Sequence, residues 1–246
     1  MISKARIKFI KSLQVKKYRK QEQCFIVEGA KSVKELLHSD FETLWVAGTE
    51  DFTRDNKALL TASGAEVVIA NEQELSSAGL FQTNEAALAV AKMKGNTAPT
   101  LTAHEFVLAL DDIRDPGNLG TIIRTADWYG IKHIIASEDT ADFYNPKVIS
   151  STMGSFGRMS VYYTNLPDYL QKITRPLYGA FLDGEDIHHT KFQTGGMIVI
   201  GNESKGISPE VEKLIKHRVT IPRIGSAESL NAAVATAIFL DNLIRP

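Results

Sequence analysis

Three short segments in the C-terminal half carry residues that structure alone does not call for. Residues 111–130 read DDIRDPGNLGTIIRTADWYG. There Pro116, Gly117 and Gly120 predict a tight strand-to-helix turn in which the backbone can approach a ligand. Asn118 fits either a helix cap or a ligand contact. Arg124 follows Ile123, which places its guanidinium at the edge of the core, with Asp127 at i+3 as an alternative ion-pair partner. Residues 198–208, IVIGNESKGIS, end a strand in Gly201, Asn202 and Glu203, and Gly206 allows a sharp return. Ser208-Pro209 then opens a helix in the Ncap–N1 manner. Residues 221–238 read IPRIGSAESLNAAVATAI. Gly225 breaks a strand there, Ser229 is the expected cap, and Asn231 falls inside the first turn, where Asn is a poor helix former. Such a local inconsistency is typical of functional sites. Neither GxxxxGK[ST] nor GxGxxG is present, which excludes the familiar phosphate loop and dinucleotide fingerprint.

The surrounding pattern is α/β. FVLALDD, HIIAS, LYGAFLDG and GMIVIGN are nearly continuous apolar strands separated by helical stretches, as in a parallel sheet covered on both faces. Leu119, Ile122, Ile123 and Ala126 form the core stripe of the first helix, and a long apolar helix is expected from Ser229. In such sheets ligands bind outside the carboxyl ends of strands, where the three segments would lie. Upstream, CFIVEG, TLWVAG, EVVIA and AALAVAKM alternate with helices: one over 30–38 with Val33, Leu36 and Leu37 on one face, one near 56–62 and one opened by Asn71. Residues 96–102 have linker composition. Two domains are therefore expected, 1–95 and 103–246.

The 246 residues, 43% hydrophobic and 23% charged, suffice for two cores. A single cysteine, Cys24, excludes an internal disulfide framework; a buried place at the start of a strand and a reducing compartment are expected. No apolar run approaches the ~20 residues of a membrane helix, and nothing resembles a signal peptide, so a cytoplasmic protein is expected. Net charge is −1, yet the first twenty residues hold eight Lys and Arg and no acid. Either this block binds phosphates, or it is a solvated helix face whose Ile7, Ile10 and Leu13 dock on the domain.

NLGTIIRTA, IVIGNESKGIS and IPRIGSAESLNAAVA resemble, in order, the three motifs of the SpoU/TrmH branch of the SPOUT methyltransferases. DFYNPKVISSTMGSFGRMSV resembles that branch's NPK…S-x-G segment, and the likeness spans about residues 105–244. FIVEGAKSVKELL resembles the ribosomal-protein-like substrate-binding domain that precedes the catalytic domain in many members. The resemblance implies a deep trefoil knot, which periodicity could not have indicated. It implies S-adenosylmethionine held by Ile200, Gly201, Ile221 and Leu230, with Gly206 in the same loops, and no metal. It also implies a homodimer with its active site near the subunit interface and methylation of an RNA ribose 2′-hydroxyl. Arg124 would be the main catalytic residue and Asn118 would position ribose or phosphate, with Glu203, Ser229 and Asn231 completing the site.

A guanidinium with a pKa above ~12 is a poor base, so Arg124 is expected to act electrostatically and to clamp the adjacent phosphate. One departure stands out: many members read SLNVS where this chain reads SLNAA, so any role of that hydroxyl is absent at Ala233. The extra N-terminal domain leans toward ribosomal RNA over tRNA, with the basic block as an added contact. The competing reading is a non-catalytic RNA-binding ribosome-assembly factor of the same fold. Base methylation is disfavoured by the third motif.

Overall fold

The computed structural model describes residues 1–81, 83–84 and 86–244; Gln82, Glu85 and the last two residues of the expected second domain, Arg245 and Pro246, lie outside the described residues. Two compact units emerge, Met1–Gly95 with Asp142–Gly157, and Asn96–Ala141 with Arg158–Pro246.

The first unit opens with α1 (Lys4–Ser12) and α2 (Lys16–Glu22) and continues through β1 (Cys24–Glu28), α3 (Ala30–His38), β2 (Thr43–Gly48), α4 (Glu50–Asp55), α5 (Lys57–Ser63), β3 (Glu66–Ile69), α6 (Glu72–Ala78) and β4 (Ala87–Lys92). Its sheet has the order β1-β4-β2-β3, antiparallel except for the parallel β2–β3 pair. α3 buries Val33, Leu36 and Leu37, as its spacing predicts. Asn71 caps α6 in a reciprocal box with Glu74. The helix expected near 56–62 is α5, and a further short helix, α4, precedes it. The two are separated where Asn56 leaves helical geometry and its Nδ2 donates back to Phe52 O at 2.7 Å. Ile10 and Leu13 are buried beneath α1.

The second unit runs through β5 (Val107–Asp111), α7 (Pro116–Trp128), β6 (His133–Ser137), β7 (Ser160–Thr164), α9 (Leu166–Gln171), β8 (Leu177–Phe181), β9 (Glu185–Asp186), β10 (Met197–Gly201), α10 (Pro209–Glu212), β11 (His217–Thr220) and α11 (Ala232–Ile244), while α8 (Pro146–Ser151) belongs to the first unit. The strand order is β7-β6-β5-β10-β8-β11-β9, and every ladder is parallel. After β5 the chain builds outward through β6 and β7, then crosses to the other side. The loops after β5 and β10 therefore leave the sheet side by side at the point where strand order reverses, the usual ligand position. α7 and α11 pack against each other. α11 starts at Ala232 and not at Ser229.

Residues 142–157, which sequence alone leaves with the second half, cluster with the first unit. The cause is aromatic packing: Tyr144 lies 4.9 Å and Phe156 6.2 Å, centroid to centroid, from Phe25 on β1. Burial pushes the Tyr144 phenol up to about 12. Arg19, expected in the basic block, is buried and donates to Leu13 O and Gln14 O at 2.8 Å and to Asp142 at 2.6 Å.

Candidate active site

The site grows from the end of β5. Asp111 is buried, and its Oδ2 accepts the Ser208 N–H at 2.7 Å, which ties the loop after β10 to the end of β5. Asp112 is held at φ 61, a conformation uncommon outside glycine. Its N–H donates to Ser137 Oγ and its carbonyl accepts Asn202 Nδ2, both at 2.8 Å. Asn202 also folds its own loop, since its Oδ1 accepts the Ser204 and Lys205 amides and its backbone pairs with Gly206. From sequence alone, Asp111 and Asp112 receive no role and Asn202 is placed only at the end of a strand. The signal was present: paired acids ending an apolar strand, and an Asn directly after another strand.

Helix α7 begins with Asp115, whose side chain accepts the Asn118 N–H at 2.8 Å, so the cap is Asp115 and not Asn118. Asn118 is thereby free to face the loops. Its Nδ2 donates to Glu203 Oε1 at 2.5 Å, and its Oδ1 accepts Asn231 Nδ2 at 2.9 Å. Asn231 Oδ1 in turn accepts the amides of Ala233 at 2.9 Å and Val234 at 3.4 Å. Asn231 is therefore the cap of α11. The expectation of a Ser229 cap with Asn231 inside the first turn is overturned, and the supposed propensity conflict disappears. One chain of side chains links all three segments, Glu203–Asn118–Asn231.

Arg124 and Ser229 stand apart from this chain. Arg124 is exposed on α7, not at the edge of the core, and makes no hydrogen bond or ion pair among the described residues. Asp127, its expected partner, pairs with Arg158 at 2.7 Å. Ser229 is exposed within a loop, 222–230, that is exposed throughout and forms no backbone–backbone hydrogen bond among the described residues.

Because the 222–230 loop is exposed, its backbone N–H and C=O groups are satisfied by water, which a ligand laid against the loop displaces. The Ala227 carbonyl also accepts Arg223 Nη1 at 3.2 Å. Of the residues assigned to the cofactor, Leu230 lies in this loop and Ile221 leads into it. Ile200 is buried at the end of β10, and Gly201 is pressed against the backbone of Gly206 and Ile207. Among the described residues no cluster of His, Cys, Asp and Glu is arranged to hold a metal, and no helix is long and apolar enough to cross a membrane.

Replacing Asn231 by Ala removes a cap and should cost about 1 kcal/mol, roughly 2–4 °C in Tm, read by thermal denaturation. Asn231→Asp keeps the cap but cannot donate to Asn118; it should recover the stability and leave the Asn118–Glu203 pair without its third member.

A parallel α/β sheet whose strand-order reversal gathers three loops around one polar chain defines a ligand-binding α/β protein. Residues 105–241 match the SpoU rRNA methylase family and residues 4–89 the MRM3-like substrate-binding domain, and the chain belongs to the SpoU family. It is 31% identical over 242 residues, 97% of this chain and 95% of the relative, to the Bacillus subtilis 23S rRNA (guanosine(2553)-2′-O)-methyltransferase RlmP. A TrmH-family structure from Porphyromonas gingivalis superposes with a TM-score of 0.85 at 37% identity, covering 98% of both chains. An AdoMet-bound rRNA methyltransferase from Sinorhizobium meliloti does so with a TM-score of 0.88 at 28% identity, covering 98% of this chain and 95% of that one.

Proposed function

We propose that this chain methylates a ribose 2′-hydroxyl of ribosomal RNA with S-adenosylmethionine as donor. The observation that carries the proposal is the Glu203–Asn118–Asn231 chain, which joins three loops at the strand-order reversal. When bound, S-adenosylmethionine supplies a methyl group already activated as a sulfonium, so the protein's task is placement. Ile200, Gly201, Gly206, Ile221 and Leu230 supply the backbone that would hold it. Asn118, fixed from both ends, orients the ribose. Arg124, unpaired, lowers the cost of charge on the attacking oxygen and holds the neighbouring phosphate while the hydroxyl proton leaves to water. The knot belongs to the same reading, supported by the crossing order β5-β10-β8-β11. So does a cytoplasmic place of action.

We infer a homodimer as well. Thr121, Arg124 and Trp128 fall on one exposed stripe of α7, and Trp128 is 84% exposed. Ile224 is fully exposed in the loop before α11. A second copy covering Trp128 would carry Arg124 to its own loops. Trp128→Glu is expected to sediment as a monomer and to lose methyl transfer together with the dimer.

The deciding experiment is labelled methyl transfer to unmodified rRNA and tRNA, with mapping of the modified nucleotide. Transfer to an rRNA ribose is expected. Methylation of tRNA alone would overturn the rRNA assignment, and absence of S-adenosylmethionine binding at high micromolar concentration would favour the assembly factor.

A further inference from the structure

We propose that the solvent face of α1 and α2 is a phosphate-binding surface for the RNA substrate, made by Lys4, Lys8, Lys11, Lys16, Lys17 and Lys20 and by neither arginine of the block. The inference rests on the RNA reading above and names the surface that reading leaves open. Sequence showed eight cations in twenty residues and could not tell contacts from scaffold. The structure sorts them. Arg19 is buried among carbonyls and Asp142, and Arg6 is bound to both oxygens of Glu66 at 2.6–2.7 Å with its guanidinium over Trp45. All six lysines are exposed, and none of their ammonium groups has an ion pair or hydrogen bond among the described residues, Lys17 Nζ lying only over the Tyr18 ring at 6.0 Å.

Their arrangement is the second observation. Lys4, Lys8 and Lys11 recur at i, i+4 and i+7, on the face of α1 opposite buried Ile10 and Leu13. Lys16 and Lys20 repeat the i, i+4 spacing on α2. Like charges so spaced repel, and cations in a first turn oppose the helix dipole. Lys4, Lys16 and Lys17 all sit in first turns, and neither helix has an acid there. Lys11 and Lys20 lie in last turns, where the dipole favours them. The first-turn lysines and the like-charge spacing along both helices are offset by a polyanion laid along them.

The surface is not a symptom of a basic protein, since the whole chain carries −1. Several cations elsewhere are partnered, Lys92 with Glu42, Lys94 with Asp40, and Arg218 with Asp183 and Glu212, whereas others, Arg124 among them, are not among the described residues. The acids near the patch are already engaged. Glu66 holds Arg6, Glu74 accepts the Ile2 and Asn71 amides, and Glu22 accepts from Gln21. Lysines act as point charges without the planar fork of arginine, so the surface suits backbone phosphates and not base edges. Tyr18, 41% exposed between Lys17 and Lys20, has the Lys17 ammonium 6.0 Å above its ring, so an unpaired base stacking there would first displace that side chain.

The test is filter binding of the full chain to an unmodified 23S rRNA transcript across about 50–200 mM salt. Neutralising three phosphate contacts changes the slope of log affinity against log salt by about 2–3. Lys4→Gln/Lys8→Gln/Lys11→Gln, and separately Lys16→Gln/Lys17→Gln/Lys20→Gln, should each flatten the slope by that amount and weaken binding at least about tenfold at 100 mM. Arg6→Gln should leave the slope unchanged. Circular dichroism and calorimetry with S-adenosylmethionine establish that each variant is folded. An unchanged slope in both folded triple variants, or an equal loss in Arg6→Gln, would overturn the proposal. Methyl transfer by the parent protein is scored separately: binding with the expected slopes but no transfer would sink the catalytic reading and leave this surface standing.

Discussion

Arg124→Ala is expected to slow methyl transfer to RNA by about 10²–10³-fold, with S-adenosylmethionine affinity and Tm unchanged. The size follows from removing one fixed charge aimed at a developing oxyanion. The selectivity follows from position. The side chain is exposed and contributes nothing to the α7 core, which is Leu119, Ile122, Ile123 and Ala126, and exposed substitutions shift stability by no more than about 0.5 kcal/mol. Its charge is also unquenched, because Asp127 is held by Arg158 through both Nε and Nη2. Single-turnover rates at saturating cofactor isolate the chemical step from binding. Arg124→Lys sharpens the test. Lysine keeps the positive charge and loses the planar fork, so it should recover only a small part of the rate. Recovery of most of the turnover would mean that charge suffices and that the phosphate clamp is wrong.

The class of fold and the three segments were legible because they rest on local chemistry. Apolar strands reveal a parallel sheet, and Gly and Pro at strand ends reveal turns. What stayed hidden is what depends on distant pairing. Asn118 and Glu203 are separated by 85 positions, and nothing local says that one amide spans them. With Asp115 unrecognised as the cap, Asn118 looked like a cap itself; with Asn231 unrecognised, Ser229 did. Both errors share a cause. Asp, Asn and Ser cap equally well, and only tertiary context selects among neighbours two or three residues apart. Arg124 failed differently: the stripe beside it is real, but one position along a helix is about a quarter turn, enough to carry a side chain from the core edge to solvent. The basic block also divided on burial, which charge counting cannot see. Two arginines became scaffold and six lysines stayed outside.

The second large effect concerns Gly201. A Cβ there would fall well inside contact distance of Gly206 C, Gly206 O and Ile207 N, all backbone atoms that no rotamer change can move aside. The approach is set by the bonds around it: Asn202 N–H to Gly206 O at 3.0 Å, Gly206 N–H to Asn202 O at 2.9 Å, and Ser208 N–H to Asp111 at 2.7 Å. Gly201→Ala must therefore break part of this loop or shift β10, and overpacking of this kind costs up to about 3 kcal/mol. That corresponds to a Tm lower by roughly 6–12 °C in a chain of this size. Gly206→Ala is the control. It too is in the loop, at φ +70, but a Cβ there meets nothing within 4 Å, so only the left-handed strain of about 1–2 kcal/mol applies. Thermal denaturation should order the pair with Gly201→Ala clearly the worse. Calorimetry should show S-adenosylmethionine affinity collapsing in Gly201→Ala even below its lowered Tm, because the loop that would hold the cofactor is the one displaced. Equal Tm losses in the two variants would mean that the loop gives way easily, and that the close approach of 201 to 206–207 is not what shapes the site.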